Sequence, residues 1–446
     1  MKRFMAILSC LLLLTGVGFA NGSQEKNSDS KTSEKKDNVF WLYETTTPEH
    51  EQHLRKDLID VVNSRAKDYE VTIRFDANYD QNLRTAMLSG TGPDLVQTAG
   101  PSYVQEFANE GYLYPLDDFA KSYGWDKTLF PMMLQLGTID GHLYALPKTY
   151  ETMVLFYNKT MFEKYGWEIP KTWADYEKLC SEIKAKGITP IVSGNANWRP
   201  TNEHYVTIFF NHIAGPENIR KALEGKLPWT SPCFVNATET LKRFFSEYFT
   251  PDYFSYSDED SLSVLASGEA AMYPSGTWNF QRIDNFFKET GEEWDWAPLP
   301  SAADVPYPLY ELGIGATLSI NAKSKRPDAV AQLLNTLFSD KQVIVNLNAD
   351  WPGEWNLPIN TLNRKDFGDR IDPRYARCID EIGDAVNAGQ YGYTTWTFWP
   401  EKTDQLLWNS IEKVFLGTMS VQDYLQGLDS AFQADLKAGT VPKLPD

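Results

Sequence analysis

Between residues 38 and 98 strand and helix signals alternate with a regularity that few folds satisfy. "NVFWLY" (38–43) reads as a buried strand, and "PEHEQHLRKDLIDVVNSRA" (48–66) as an amphipathic helix with Leu54, Leu58, Val61 and Val62 at helical spacing. "YEVTIRF" is a second strand, "YDQNLRTAMLSG" a second helix closed by Gly90, and "PDLVQT" a third strand. Strand–helix–strand–helix–strand implies parallel strands joined by crossover helices. Open sheets of this kind take ligands beyond the carboxyl ends of their strands. The loops Glu44–Thr47 and Thr98–Ser102 are therefore the first to watch.

The pattern continues downstream. "DGHLYALPKTYETMVLFYNK" (140–159) opens on a hairpin signal and sets two apolar strands around the polar patch Lys148–Thr152. "PKTWADYEKLCSEIKAKG" (170–187) predicts a helix with Thr172 at its N-cap and Gly187 at its end. The strand "ITPIVSG" leads into the polar loop "NANWRPTN", helices near 202–213, 236–249 and 258–268, and "AAMYPSG" running into a loop with Trp278. "LGIGATLSI" (312–320) is a glycine-bearing strand, "RPDAVAQLLNTLFSD" a helix begun by Pro327, and "WPGEWNLP" a loop. Two helices follow near 401–416 and 420–437. At 446 residues the chain exceeds one ordinary core, so the expected fold class is α/β in two lobes.

The N-terminus sets the compartment. Lys2 and Arg3 precede an apolar run from Phe4 to Leu14, and small residues end at Gly18-Phe19-Ala20. That is the pattern of a secretory signal peptide over residues 1–20, with an apolar run too short to span a bilayer comfortably. Cys10 after Ile7-Leu8-Ser9 loosely resembles an acylation box, but lipidation there leaves a very short apolar run, so simple cleavage is expected. Residues 21–37 are polar and aperiodic, a disordered tether. The expected location is periplasmic or otherwise extracytoplasmic, soluble or tethered. Past the leader only Cys180, Cys233 and Cys378 remain. An odd, sparse set is no disulfide framework, although one pair among them stays open.

Composition excludes further classes. The formal charge of −18 becomes −20 without the leader's two cations. Such a chain has no basic footprint for nucleic acid and does not suit polyanionic ligands, but cations and neutral solutes are compatible with it. His50 and His53 lie one turn apart on a charged helix face without a third ligand, which reads as solvated surface histidines and no metal. "SGTGPD" precedes a strand instead of joining strand to helix, so it is a tight loop and not a phosphate cradle. "SDEDS" (257–261) sits where a helix starts, and acid there complements the helix dipole better than it signals calcium. No nucleophile elbow is present and no cofactor is implied. A glycosidase acid pair stays open, since no particular pair of carboxylates stands out.

The conspicuous surplus is aromatic: 14% of residues, with 14 Trp. Many fall in polar loops, namely Trp198, Trp278, Trp351, Trp355, Trp396 and Trp399, the last two in "QYGYTTWTFWP" (390–400). A flat indole suits the apolar C–H face of a pyranose, while the hydroxyl edge needs acids, amides or backbone groups. Covering roughly 50 Å² of sugar face yields about 1 kcal/mol per platform. Several platforms with charge-assisted hydrogen bonds reach about −8 kcal/mol, a micromolar constant. Core packing is the competing use for each ring, and Tyr391, Tyr393 and Phe398 are assigned to it. One of Trp396 and Trp399 is expected to floor the ligand.

"SGTGPDLVQT", "GHLYALPKTYETMVLFYNKTMFEKYGWEIPKTWADY", "LASGEAAMYPSGTW" and "LGIGATLSINAKSKRPDAVAQLLNTLFS" resemble, in that order, extracellular solute-binding proteins of sugar ABC transporters, the maltose-binding-protein-like family. The resemblance covers nearly the whole chain past the leader. It implies the two-lobe periplasmic binding protein fold (type II), with hinged lobes closing on a central cleft. Lobe 1 is expected over 38–148 and 313–360, lobe 2 over 152–310 and 361–446, with the hinge near 148–152 and 311–316. The resemblance implies a non-catalytic, monomeric receptor that captures a sugar or short oligosaccharide and delivers it to an ABC permease. Glu151 matches the family's sugar-binding carboxylate before "YNK", Trp278 its stacking aromatic after "SGT", and Trp396 or Trp399 its C-terminal platform. Asn197, Arg199 and Asn279 are further hydrogen-bonding candidates, with Thr45 and Thr98 from the first lobe. After "PD" the family often carries an aromatic or acid where this chain has "VQTAGPS", so the identity of the sugar stays open. The rivals are an exported glycoside hydrolase and a same-fold receptor for a polyamine or peptide.

Overall fold

The computed structural model describes residues 36–445 apart from 45, 77, 197–200 and 363. The leader, Cys10 and nearly all of the tether lie outside the described residues. In chain order the described strands are β1 Asp37–Glu44, β2 Tyr69–Asp76, β3 Leu95–Thr98, β4 Leu113–Tyr114, β5 Thr138–Ile139, β6 His142–Leu143, β7 Ala145–Glu151, β8 Met153–Asn158, β9 Thr189–Ile191, β10 Ala270–Gly276, β11 Trp294–Ala297, β12 Glu311–Asn321 and β13 Gly392–Tyr393.

β1 lies between β2 and β3 and is parallel to both, as the early alternation requires. Val39, Trp41 and Tyr43 are buried on one face of β1 and Leu42 on the other, the mark of a central strand covered on both sides. In β2, buried Tyr69, Val71 and Ile73 alternate with exposed Glu70, Thr72 and Arg74, so this strand forms the edge. The sheet then becomes mixed, because β12 runs antiparallel to β3, β4 and β7 and parallel to β13.

A second sheet has the order β11-β8-β10-β9, with β8 antiparallel to both neighbours and β9 parallel to β10. The two sheets found two lobes. β7 belongs to the first and β8 to the second, with Thr152 alone between them. All residues from 145 to 158 are buried, so the polar stretch Lys148–Thr152 passes through the interior.

Local signals account for most elements. Asp140 (φ 51°) and Gly141 (φ 85°) form the tight turn between β5 and β6. Thr172 caps the helix Trp173–Ala185 by accepting from the Asp175 N–H at 3.2 Å. Ser257 and Asp260 form a capping box at the head of the helix Asp258–Ala266, the structural role read for "SDEDS". The segment 48–65 is helical with one π-turn, Arg55–Ile59, in its middle.

The reading of His50 as solvated does not hold. It is buried, stacked on Trp351 at 4.6 Å and paired through Nδ1 with Thr46, and burial pushes its pKa down to about 4. His53 sits with Asp57 and Asp350, where Lys56 already bonds Asp350 at 3.2 Å. Cys180, Cys233 and Cys378 are all unpaired thiols. Trp41, Trp125, Trp229, Trp296, Trp355 and Trp399 are fully buried, so much of the aromatic surplus is core. No helix among the described residues is long and apolar enough to cross a membrane.

Candidate ligand-binding site

The site is built where the chain passes from one sheet to the other. Glu151, the last residue of β7, pairs with Gly313 of β12. The strand register slips between Ile314 and Ala316, and Gly315 occupies that irregularity. A Cβ on Gly315 would collide with the Glu151 carboxylate. One on Gly313 would sit 3.0 Å from both Glu151 Cγ and the Trp396 ring. The two glycines of "LGIGAT" thus leave room for an acid and an indole side by side. Glu151 is 5% exposed. Burial, reinforced by the Glu354 charge, raises its pKa to about 8, against the lowering influence of Lys148.

Trp278 lies across Gly276, whose missing side chain makes space for the ring. It meets Trp396 edge-to-face at 6.0 Å and 80°. His204, in the helix Thr201–Phe209, completes the group at 5.1 Å from Trp278 and 5.5 Å from Trp396. Burial drives the His204 pKa down to about 3, so this imidazole is neutral at physiological pH. Both tryptophans are half-buried, and Trp396 Nε1 stands close enough to the Glu151 carboxyl to favour its ionised form but makes no hydrogen bond of ordinary geometry among the described residues. The Trp396 carbonyl lies where a Cβ on Gly100, just after β3, would come within 2.6 Å, so the backbone that carries this ring runs against the end of the first sheet. Gly353 (φ +105°) brings the "WPGEW" loop onto the Thr277 carbonyl, beneath Trp278.

Further charged groups act on Glu151, namely Glu354, Lys148 and Glu44. Lys148 is buried, donates to the Tyr43 hydroxyl at 2.8 Å, pairs with Glu354, and lies 4.5 Å from the Trp355 ring centre. Burial alone would raise Glu354, but Lys148 outweighs it and holds the carboxyl below its ordinary value. Glu44, at the carboxyl end of β1, keeps solvent-accessible surface within a dense surround of protein. That enclosure, with Glu354 adding, raises its pKa to about 7. Asp80 is likewise exposed yet raised by desolvation.

On the second-lobe side, Glu203 accepts from Thr395 Oγ1 at 2.9 Å and faces Asp404. Burial and then the Asp404 charge raise Glu203 well above the ordinary range, while burial lifts Asp404 to about 7. Both carboxyls are therefore held toward their neutral forms, since neither ionises easily beside the other. At the rim Arg84 bonds Glu106 through both terminal nitrogens, at 2.6 and 2.9 Å, and reaches across to Glu401.

Glu151, Trp278 and Trp396 are thus brought together. Trp399 is not: it is buried against Trp229 at 5.0 Å and belongs to the second-lobe core. Tyr393 and Phe398 pack on each other, and Tyr391 rests on Tyr393. Asn279 is buried below Trp278 and committed to Ser275 (2.8 Å) and Arg282 (2.9 Å). Thr98 is buried and bonded to Thr317 and the Gly100 carbonyl. Of the other loop rings, Trp351 and Trp355 are buried. Thr45, Asn197, Trp198 and Arg199 lie outside the described residues. The sequence reading passed over Glu44, Lys148, Glu203, His204 and Asp404. Glu44 was within reach of it, standing in the loop that the strand-end rule singled out.

Two lobes on separate sheets, with acids and aromatic faces gathered where the chain passes between them, define a two-lobe binding protein of type II architecture. The chain belongs to the bacterial extracellular solute-binding protein family, whose model matches residues 54–344. It is 24% identical over 345 residues to the diacetylchitobiose binding protein NgcE of Streptomyces coelicolor, covering 72% of each chain. It is 26% identical over 286 residues to the multiple sugar-binding protein of Streptococcus mutans, covering 60% of this chain and 64% of that one. An ABC transporter extracellular-binding protein of Pyrococcus horikoshii is 26% identical over 267 residues, and the match spans 57% of its length. Among solved structures, a chitin oligosaccharide binding protein superposes with a TM-score of 0.76 at 19% identity, over 90% of this chain and 98% of that one. The GacH receptor of Streptomyces glaucescens superposes with a TM-score of 0.72 at 19% identity, over 91% and 99%. These likenesses carry the fold.

Proposed function

We propose that this chain is a non-catalytic, monomeric receptor outside the cytoplasm that closes on a sugar or short oligosaccharide and presents it to an ABC permease. The observation that carries the reading is the pair of half-buried indoles, Trp278 and Trp396, set edge-to-face beside the buried Glu151. The rings supply apolar faces for pyranose C–H groups, and Glu151 and Trp396 Nε1 supply polar partners for hydroxyls. The named sugar receptors among the relatives support the same class. The hinge lies near 148–152 and 311–316, with lobe 1 over 38–148 and 313–360 and lobe 2 over 152–310 and 361–446. Closure draws the first-lobe wall, with Glu44, onto a ligand seated on the tryptophans.

Intrinsic fluorescence titration with mono- and oligosaccharides tests this reading. A saturable change is expected, reduced by Trp278→Ala and by Trp396→Ala. Silence across the whole panel overturns the sugar reading. Turnover of an aryl-glycoside overturns the non-catalytic one.

A further inference from the structure

Every cationic side chain among the described residues at this cleft is already engaged. Lys148 is held by Glu354 and the Tyr43 hydroxyl, and Arg84 by Glu106 and Glu401. Five carboxyls of this region, Glu44, Asp80, Glu151, Glu203 and Asp404, have no ion-pair partner among the described residues. They come from both lobes: Glu44 from β1, Asp80 from the helix Tyr79–Ser89, Glu151 from β7, Glu203 from the helix Thr201–Phe209 and Asp404 from the helix Glu401–Phe415. Glu151 is the telling member. It is 5% exposed, no Lys, Arg or His among the described residues lies within ion-pair distance, and the glycine gap at 313 and 315 holds it beside the Trp396 ring.

Enclosed carboxylates without a countercharge are costly, and a ligand that brings positive charge relieves that cost. The aromatic walls favour the same ligand, since Trp278 and Trp396 offer negative ring faces to a cation. His204 is held neutral and does not compete.

We infer that the preferred ligand is a saccharide bearing a protonated amino group, an amino sugar or its short oligomer, with the ammonium among Glu44, Glu151 and the Trp396 face. This rests on the sugar reading above and narrows it. A bound ammonium stabilises ionised carboxylates, so binding releases protons from carboxyls that titrate near neutrality in the empty cleft.

The test uses the intact exported chain, followed by tryptophan fluorescence and calorimetry near neutral pH at low and high salt. Three sets of probes are compared: glucosamine and its β-linked dimer, the N-acetylated forms of both, and spermidine as an amine without a sugar. The expected result is binding of the free-amine dimer about tenfold tighter than its N-acetylated form, a difference of one decade in Kd. Protons should be released on binding, and the preference should shrink at high salt, in Glu44→Gln and in Glu151→Gln. Circular dichroism confirms that both variants fold, and Glu44→Gln, at a solvent-accessible position, keeps the test open if Glu151→Gln does not. Equal or tighter binding of the N-acetylated forms overturns the inference and leaves the sugar reading standing. Silence from every amino sugar also overturns it. Spermidine binding tighter than either saccharide overturns the inference and the sugar reading together.

Discussion

Adding one methyl group at Gly315 should disable the cleft without unfolding the protein. Gly315 is outside the positive-φ glycines, so alanine takes its backbone conformation without strain. The new Cβ would lie 2.7 Å from Glu151 Cδ and 2.9 Å from its Oε1. Ordinary carbon contacts need about 3.5 Å, so the carboxylate must retreat by roughly 1 Å. A hydrogen bond stretched that far is lost. One bond to a charged group is worth about 1.5–3 kcal/mol, so Gly315→Ala should weaken ligand binding by roughly 10- to 150-fold. Because the displaced atoms end a flexible side chain, the stability cost should stay below about 1 kcal/mol. Fluorescence titration and thermal unfolding separate the two effects. In a Glu151→Ala background the carboxylate is gone, and Gly315→Ala should cost almost nothing further. Full affinity in Gly315→Ala, or an equal loss in both backgrounds, refutes the reasoning.

The two neighbouring tryptophans should respond in opposite ways: Trp399→Ala should cost about 3–5 kcal/mol of stability in denaturant unfolding, while Trp396→Ala should cost little stability and most of the affinity. Stability should also follow a defined pH course. Folded Glu44 and Glu151 hold their protons to about 7 and 8 against 4.5 unfolded, and Asp404 to about 7 against 3.8. The folded chain then binds more protons than the unfolded one, so stability falls as pH rises from about 5 to 8. His50 and His204, pushed down to about 4 and 3 from 6.5, work in reverse and cost stability as pH falls below about 6.5. On these groups the melting temperature should therefore peak at about pH 4.5, with Glu151→Gln flattening the alkaline limb; a steady rise to about pH 8.5 contradicts this. Arg84→Ala removes the contact between the first-lobe helices and Glu401, and, being a partly exposed pair, should weaken ligand affinity only about two- to fivefold in titration.

The alternation over 38–98 was legible because each element there obeys local rules. β2 alternates in period two, Gly90 ends its helix, and β1 is apolar on both faces. Helix caps at Thr172 and Ser257 and the Asp140-Gly141 turn were legible for the same reason. Glu151 and Trp278 were visible through family resemblance alone. Nothing in their immediate sequence distinguishes a cleft acid from a core acid.

Choosing between Trp396 and Trp399 was beyond local reasoning. The choice depends on Trp229, some 170 residues earlier, filling the core beside Trp399. Glu203 and Asp404 are both held against ionisation only because two distant helices pack side by side. His50 was misread because its stacking partner, Trp351, comes from the far end of the lobe's sequence. In each case the missing information was a long-range contact, which periodicity does not encode.

On the function proposed above, Trp278 and Trp396 hold a saccharide between the lobes. Native mass spectrometry of the protein purified from its own host, wild type beside the Trp278→Ala/Trp396→Ala double variant, tests it most directly. The wild type should carry a bound mass composed of hexose or hexosamine units and the double variant none. A bound mass with no sugar composition, or one that survives the loss of both tryptophans, would contradict it.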